Sequence, residues 1–173
     1  MIVPQPQRIR PRRDDDRAWI EDILGERWGG SIVVAHGEVF QPAKLPALIA
    51  EPREGLVTYQ VRDDVAEIVT LDAFAPRQGV GTALLAALVD VLRRRGCRSL
   101  CLTTTNDNVD ALRFYQRRGF RLAGIRIGAV EQARKLKPVI PLIGRHGIPM
   151  RDEIDLRSDL IERPSLDTWT PLP

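Results

Sequence analysis

Apolar positions in this chain recur at two spacings, and the switches between them lay out the elements. Trp19, Ile20, Ile23, Leu24 and Trp28 recur at three- and four-residue intervals, as on one face of a helix. Asp14–Asp16 stand where that helix should begin, placed to cap it and to complement its dipole, and Gly29-Gly30 ends it. Before it, a proline-bearing start (Met1–Gln7) leads into a short strand at Arg8–Arg10. After it, Ser31–Ala35 and Val39-Phe40 flank a Gly37 turn, and Leu45–Glu51 is a further short strand. Leu56–Arg62 and Val65–Phe74, separated by Asp63-Asp64, read as a hairpin.

The second half changes rhythm. Val80, Leu84, Leu85, Leu88, Val91 and Leu92 predict a helix over Gly79–Arg95, closed by Arg93–Arg95 and Gly96. Ser99–Thr105 is a compact strand. Asn106–Asn108 can cap a helix of about ten residues ending at Gly119. Phe120–Ile127 is another strand and Val130–Leu136 a short basic helix stopped by Pro138. In Ile148–Leu156, residues Met150, Asp152, Ile154 and Leu156 alternate with Arg151, Glu153 and Asp155, as in a last strand. This order predicts a mixed α/β domain on one sheet, not a doubly wound parallel one. Residues 1–157 form that domain and 158–173 a proline-containing tail.

Composition narrows the class. The chain has 173 residues, 43% apolar and 28% charged, with net charge +3: enough core for one globular domain, and only mildly basic. No apolar run approaches the ~20 residues of a membrane span, and no signal peptide is visible, so a reducing cytoplasm is expected. Cys97 and Cys101 stand without a His or carboxylate cluster and read as ordinary thiols. Aromatics make up 5%, too few to interleave the arginines at 93–98 and 117–121 as a nucleic-acid surface requires. A small anion suits this balance better.

The candidate chemistry begins at Asp72–Leu85, DAFAPRQGVGTALL. Gly79 and Gly81 permit a sharp turn directly before a helix, whose first N–H groups suit a phosphate. A dinucleotide fingerprint would need glycine where Leu84 stands, and a P-loop would need lysine directly after the last glycine, where Thr82 stands. Alone, the pair of glycines is equally a structural turn. The second motif is Asn108–Phe120, NVDALRFYQRRGF, which sets Asn108, Ala111 and Tyr115 on one helix face. Asn108 and Tyr115 are two turns, about 10 Å, apart. They can grip an elongated ligand, or serve as an N-cap and a core residue.

Together the two motifs resemble the GNAT superfamily of acyl-CoA-dependent N-acyltransferases, over about Arg8–Ile127. The first is similar to its pyrophosphate loop, Q/R-x-x-G-x-G/A, and the second matches N-x-x-A-x-x-x-Y-x-x-x-G-F throughout. The resemblance implies a central, mostly antiparallel sheet, splayed at the cofactor site and flanked by helices. It implies acetyl-CoA as co-substrate and an amine acceptor, with no membrane or nucleic-acid partner, and leaves room for a homodimer. Leu71, Asp72 and Ala73 would offer backbone groups to the pantetheine arm. Gln78, Gly79, Val80, Gly81 and Thr82 would meet the pyrophosphate. Asn108 would bond the pantetheine and Tyr115 would protonate the departing thiolate. The sequence departs from the motif at Pro76, which replaces the Q/R position and removes an N–H; Arg77 next door can supply the cation.

For a base, Glu67 shares by period two a face with Val65, Val69, Leu71 and Ala73, unless a bulge intervenes. A carboxylate in an apolar row is a better base near neutral pH. The segment AEIVTL also resembles the strand on which some members carry a glutamate base. The other reading is a strand-edge glutamate that reaches solvent or pairs with an arginine. His36 and His146 are lone loop histidines, not expected to be the base. Arg151, Asp152 and Glu153 could face an acceptor pocket. The function expected is transfer of an acetyl group to an amine by direct attack in a ternary complex. The alternative is a non-catalytic acyl-CoA-binding domain, which would bind acetyl-CoA without releasing CoA against any amine.

Overall fold

The computed structural model describes residues 7–74 and 78–161. In chain order the elements are β1 (Ile9–Pro11), α1 (Arg17–Trp28), β2 (Val33–Ala35), β3 (Glu38–Phe40), β4 (Ala47–Ala50), β5 (Gly55–Arg62) and β6 (Val65–Ala73). There follow α2 (Val80–Arg94), β7 (Ser99–Thr105), α3 (Val109–Gln116), β8 (Arg121–Arg126), α4 (Ala129–Leu136) and β9 (Glu153–Asp159). Seven strands form one sheet in the order β1-β4-β5-β6-β7-β9-β8, while β2 and β3 make a separate hairpin. Among the described residues only the β6–β7 pairing of this sheet is parallel, as the connection through α2 requires. This is the mixed α/β arrangement that the sequence pattern predicts, with the mostly antiparallel sheet and flanking helices that the resemblance implies.

Helices cover both faces. Leu84, Leu85, Leu88 and Leu92 of α2 pack with Leu48, Val57, Tyr59, Ala66, Ile68 and Leu100 on one side. Ile20 and Leu24 of α1 pack with Ala47, Ile49 and Leu56 on the other. Alternation along β4 and β5 feeds both layers, because successive side chains point to opposite faces.

Two features shape the centre. Thr70 stands opposite Thr58, but Ile68 opposite Tyr59, so Val69 is an extra residue in β6, a β-bulge. The parallel pairing of β6 with β7 runs only from Val65↔Ser99 to Ile68↔Leu102. Past the bulge the two strands part, while β7 stays paired with β9 as far as Thr105↔Glu153. The sheet is therefore splayed where the resemblance expects it.

Three expectations need correction. Asp14–Asp16 form a 3-10 turn, and Asp16 accepts from Arg10 and from the Arg13 N–H rather than capping α1. The last strand begins at Glu153, not Ile148. Pro149 has no N–H to give a ladder, and the side chain of Asn106 takes the N–H groups of Arg151 and Asp152. Residues 142–150 instead fold on themselves, Met150 N–H donating to Leu142 O and Gly144 N–H to Ile148 O. At its other end β9 reaches Asp159, with Leu160 buried behind it, so the sheet passes the boundary expected at 157.

Candidate functional site

Helix α2 opens from Gly79, whose φ of 79° puts it in the left-handed region that glycine adopts without strain. The first backbone bond of the helix is Ala83 N–H to Gly79 O at 2.9 Å. The N–H groups of Val80, Gly81 and Thr82 thus precede the ladder and have no acceptor within it. Gly81 itself is buried, and a Cβ there would lie 3.4 Å from the Phe114 ring and 3.6 Å from Leu71. These are ordinary van der Waals distances, so Gly81 sits where α2, α3 and the end of β6 meet.

Arg118 adds a cation at this helix start. Its Nη2 lies 2.5 Å from Thr82 Oγ1, its Nη1 donates to Phe114 O, and its guanidinium stacks 3.7 Å over the Phe114 ring. Arg77, the cation expected from sequence, and Pro76 lie outside the described residues.

Leu71, Asp72 and Ala73 lie beyond the bulge, still paired with β5 but without β7 on their other edge. The Asp72 side chain is committed, accepting from Trp28 Nε1 at 2.8 Å, and burial raises its pKa. Asn108 caps α3, its Oδ1 accepting from Ala111 N–H at 3.3 Å. The cap reading is therefore correct, and it leaves the amide N–H groups for another partner. Tyr115 is buried, edge-on to Phe114 and Phe120. Burial, with the charge of Asp72 behind it, pushes the phenol well above its ordinary range, so it stays protonated far past neutral pH.

The bulge changes the surroundings of Glu67. Ala66 and Ile68 lie in the α2-side core, and beyond Val69 so does Leu71. Glu67 therefore points to the α1 side with Thr70 and Asp72, not along the apolar row with Leu71 and Ala73. There it has polar partners: His36 Nε2 lies 2.6 Å from its Oε1, and Gln60 Nε2 donates to its Oε2 at 2.8 Å.

His36 reaches Glu67 from the two-residue turn between β2 and β3, where His36 and Gly37 both have positive φ, as such hairpin turns need. The same turn directs the His36 N–H to Glu153 Oε2 at 2.9 Å. Glu153 is buried and also accepts from Arg126 Nε at 3.0 Å. Arg126 goes on to Asp155, which Thr103 bonds as well. Glu67 thus ends a polar chain that crosses the sheet to β8. Of the triplet Arg151–Glu153 the chain takes in Glu153; Asp152 accepts from Gly128 N–H, and Arg151 is exposed. His146 pairs with Asp110 at the surface. Cys101, half-buried, has its thiol pushed up to about 11 by burial and by Glu67, which makes it a poor nucleophile.

Glu67, Val69, Thr103 and Asn108 line one small cavity in the splay, of about 110 Å³; Tyr115 does not border it. A larger cavity of about 530 Å³ adjoins it, sharing Trp28, Val33, Val34, Thr105 and Glu153. Among the described residues no group of His, Cys, Asp and Glu is placed to hold a metal ion, and no helix is long and apolar enough to cross a membrane.

The model of the acetyltransferase (GNAT) family matches residues 11–120. An uncharacterized protein of Bacillus subtilis (strain 168), YxbD, is 47% identical over 106 residues, 61% of this chain and 67% of that protein. Another from the same organism, YdhI, is 36% identical over 150 residues, 84% of this chain and 94% of that protein. The crystal structure of a Bacillus subtilis acetyltransferase in complex with CoA superposes with TM-score 0.63 over 90% of this chain and 99% of that one; at 20% identity this shows a common fold.

Proposed function

The chain belongs to the GNAT family of acetyltransferases, and from that premise we propose that it moves an acetyl group from acetyl-CoA to an amine held in the larger cavity. The observation that carries this reading is the parting of β6 from β7 beyond Ile68↔Leu102, with Glu67 and Asn108 lining the gap. An acyl chain entering there has free backbone of Leu71–Ala73 on one side and the acceptor cavity on the other.

The residues present fit acetyl-CoA. The N–H groups of Val80, Gly81 and Thr82, which precede the helix ladder, and the Arg118 guanidinium suit its pyrophosphate, the more so because a helix start favours anions. The amide of Asn108 and the β6 backbone suit its pantetheine arm. Acetyl-CoA supplies an activated acyl carbon. Glu67, oriented by His36 and Gln60, takes the proton that the amine must lose, through a water. Tyr115, a phenol that is protonated at neutral pH, returns a proton to the departing sulfur. The charge on the acyl oxygen meets an N–H of β6 that faces the gap left by β7. Residues 1–157 and the remainder of β9 act as one catalytic domain.

The test is release of free CoA thiol from acetyl-CoA against a panel of amines, with Glu67→Gln as control. Turnover should appear with at least one amine and fall roughly 100-fold or more in the variant. Binding of acetyl-CoA without thiol release from any amine would overturn the reading.

A further inference from the structure

The larger cavity carries two cations that the fold itself barely uses. Arg145 lines it from the folded-back segment 142–150, and its backbone is fixed at both polar groups. Its N–H donates to Asp107 Oδ2 at 2.9 Å, and its carbonyl accepts from Ile148 N–H at 3.0 Å. The exposed guanidinium makes no hydrogen bond or ion pair among the described residues. Arg27, in the last turn of α1, lines the same cavity. Its Nη1 stands 3.9 Å from Asp72 Oδ1, at the limit of an ion pair, and its guanidinium lies over the Phe74 ring. Asp72 is a weak partner for either arginine, because it is bonded to Trp28 Nε1 and its burial favours the neutral form. The charges of both arginines act on that carboxylate, so the two guanidiniums converge on the Trp28 rim of the cavity.

The other charged groups of the lining are closed off. Asp107 and Glu153 are each 3% exposed, the first against the Arg145 N–H and the second between Arg126 and the His36 N–H. Lys137 is buried too, its Nζ donating to Trp28 O and to Ile32 O at 2.6 Å. An incoming molecule therefore meets positive charge at the rim and, deeper, an apolar wall of Val33, Val130, Ala133, Ile140 and Met150. Two guanidiniums beside an apolar wall select an anion, and a planar carboxylate matches their forked donors.

Resting on the acetyltransferase reading, we propose that the acceptor is an apolar amino acid, its carboxylate received by Arg27 and Arg145, its side chain filling the apolar depth and its amine facing Glu67. The lining common to the two cavities, Trp28, Val33, Val34, Thr105 and Glu153, joins the arginine rim to the cavity of Glu67. At about 530 Å³ the larger cavity has room for a side chain of phenylalanine size. In the transfer, the neutral amine nitrogen bonds the acyl carbon as the carbon–sulfur bond breaks. The nitrogen's proton leaves to Glu67 through water, and Tyr115 gives one to sulfur. The products are an N-acetylated amino acid and CoA thiol.

The experiment compares L-phenylalanine and L-leucine with their decarboxylated counterparts, phenethylamine and isoamylamine, as acceptors by thiol release. It uses the wild type, Arg145→Gln, Arg145→Lys and Arg27→Gln. Calorimetric binding of L-phenylalanine to the CoA-bound enzyme is measured in parallel. In the wild type the KM of each amino acid should lie at least about tenfold below that of its counterpart, the size of a charge-assisted hydrogen bond. Arg145→Gln and Arg27→Gln should each remove most of that preference and weaken L-phenylalanine binding about tenfold, with acetyl-CoA affinity held within about twofold. Arg145→Lys, which keeps the charge but not the fork, should restore part of the preference. Equal KM values within both pairs, or a preference that survives in both glutamine variants, would overturn the proposal. Thiol release from no amine would instead sink the acetyltransferase reading. The calorimetric arm would then decide the arginine site by itself: L-phenylalanine binding that Arg145→Gln weakens upholds it, and no binding, or binding that the variant leaves unchanged, overturns it.

Discussion

At the scale of single residues, the roles turn on protonation and on what each side chain already bonds. Tyr115→Phe keeps the ring between Phe114 and Phe120 and removes only the proton. It should lower kcat about 100-fold while leaving acetyl-CoA affinity within twofold, by steady-state and equilibrium measurements. Because burial raises the phenol above its ordinary value near 10, its loaded, protonated form persists to alkaline pH. The wild-type kcat should therefore show no alkaline decline from this group below about pH 10, and a fall beginning near pH 8 that disappears in Tyr115→Phe would contradict the assignment. Tyr115 and Asn108 are legible because their spacing on one helix is written in the sequence. His36 is not: it meets Glu67 through a turn 31 residues away, and no local period links the two.

At the scale of elements, α2 joins two jobs. Its apolar face anchors the sheet, and its first turn presents N–H groups beside Arg118. Arg118 is exposed, so removing it should cost little stability. Arg118→Ala should raise the KM for acetyl-CoA about tenfold, the size of a lost charge-assisted hydrogen bond, with the melting temperature changed by less than a few degrees. An unchanged KM would remove Arg118 from the phosphate site. The helix and its glycines are plain in the sequence because a 3.6-residue period and a left-handed cap are local requirements. The Val69 bulge was open to sequence reasoning only as a possibility, since a period-two count cannot register one extra residue until the partner strand is known. That one residue separates Glu67 from the row of Leu71 and Ala73.

At the scale of the whole molecule, the early segment is fastened to the sheet by charge. Arg10 on β1 donates to Asp16 at 2.6 and 2.9 Å and to Glu51 at 2.6 Å, and Asp16 is 1% exposed. Arg10 holds the Asp16 carboxyl well below the usual carboxylate range. A folded-state pKa below the unfolded one means the contribution is complete above about pH 4 and is lost as the pH falls further. Asp16→Asn, which leaves Arg10 without its buried partner, should destabilise by about 3 kcal/mol, lowering the melting temperature at pH 7 by roughly 6–12 °C. The gap between variant and wild type should narrow on acidification below about pH 4; a gap constant from pH 7 to pH 3 would assign the loss to packing. The sequence by itself determined the element order, the mixed α/β class, the α2 turn and the α3 face, because helical and strand periods and caps are set by near neighbours. Only the tertiary structure decided which carboxylates share a cavity, that His36 and Gln60 hold Glu67, that the last strand starts at Glu153, and that Arg27 and Arg145 line one cavity. Those are contacts between residues far apart in the chain, and they depend on strand register and on where β6 parts from β7, which no local pattern encodes.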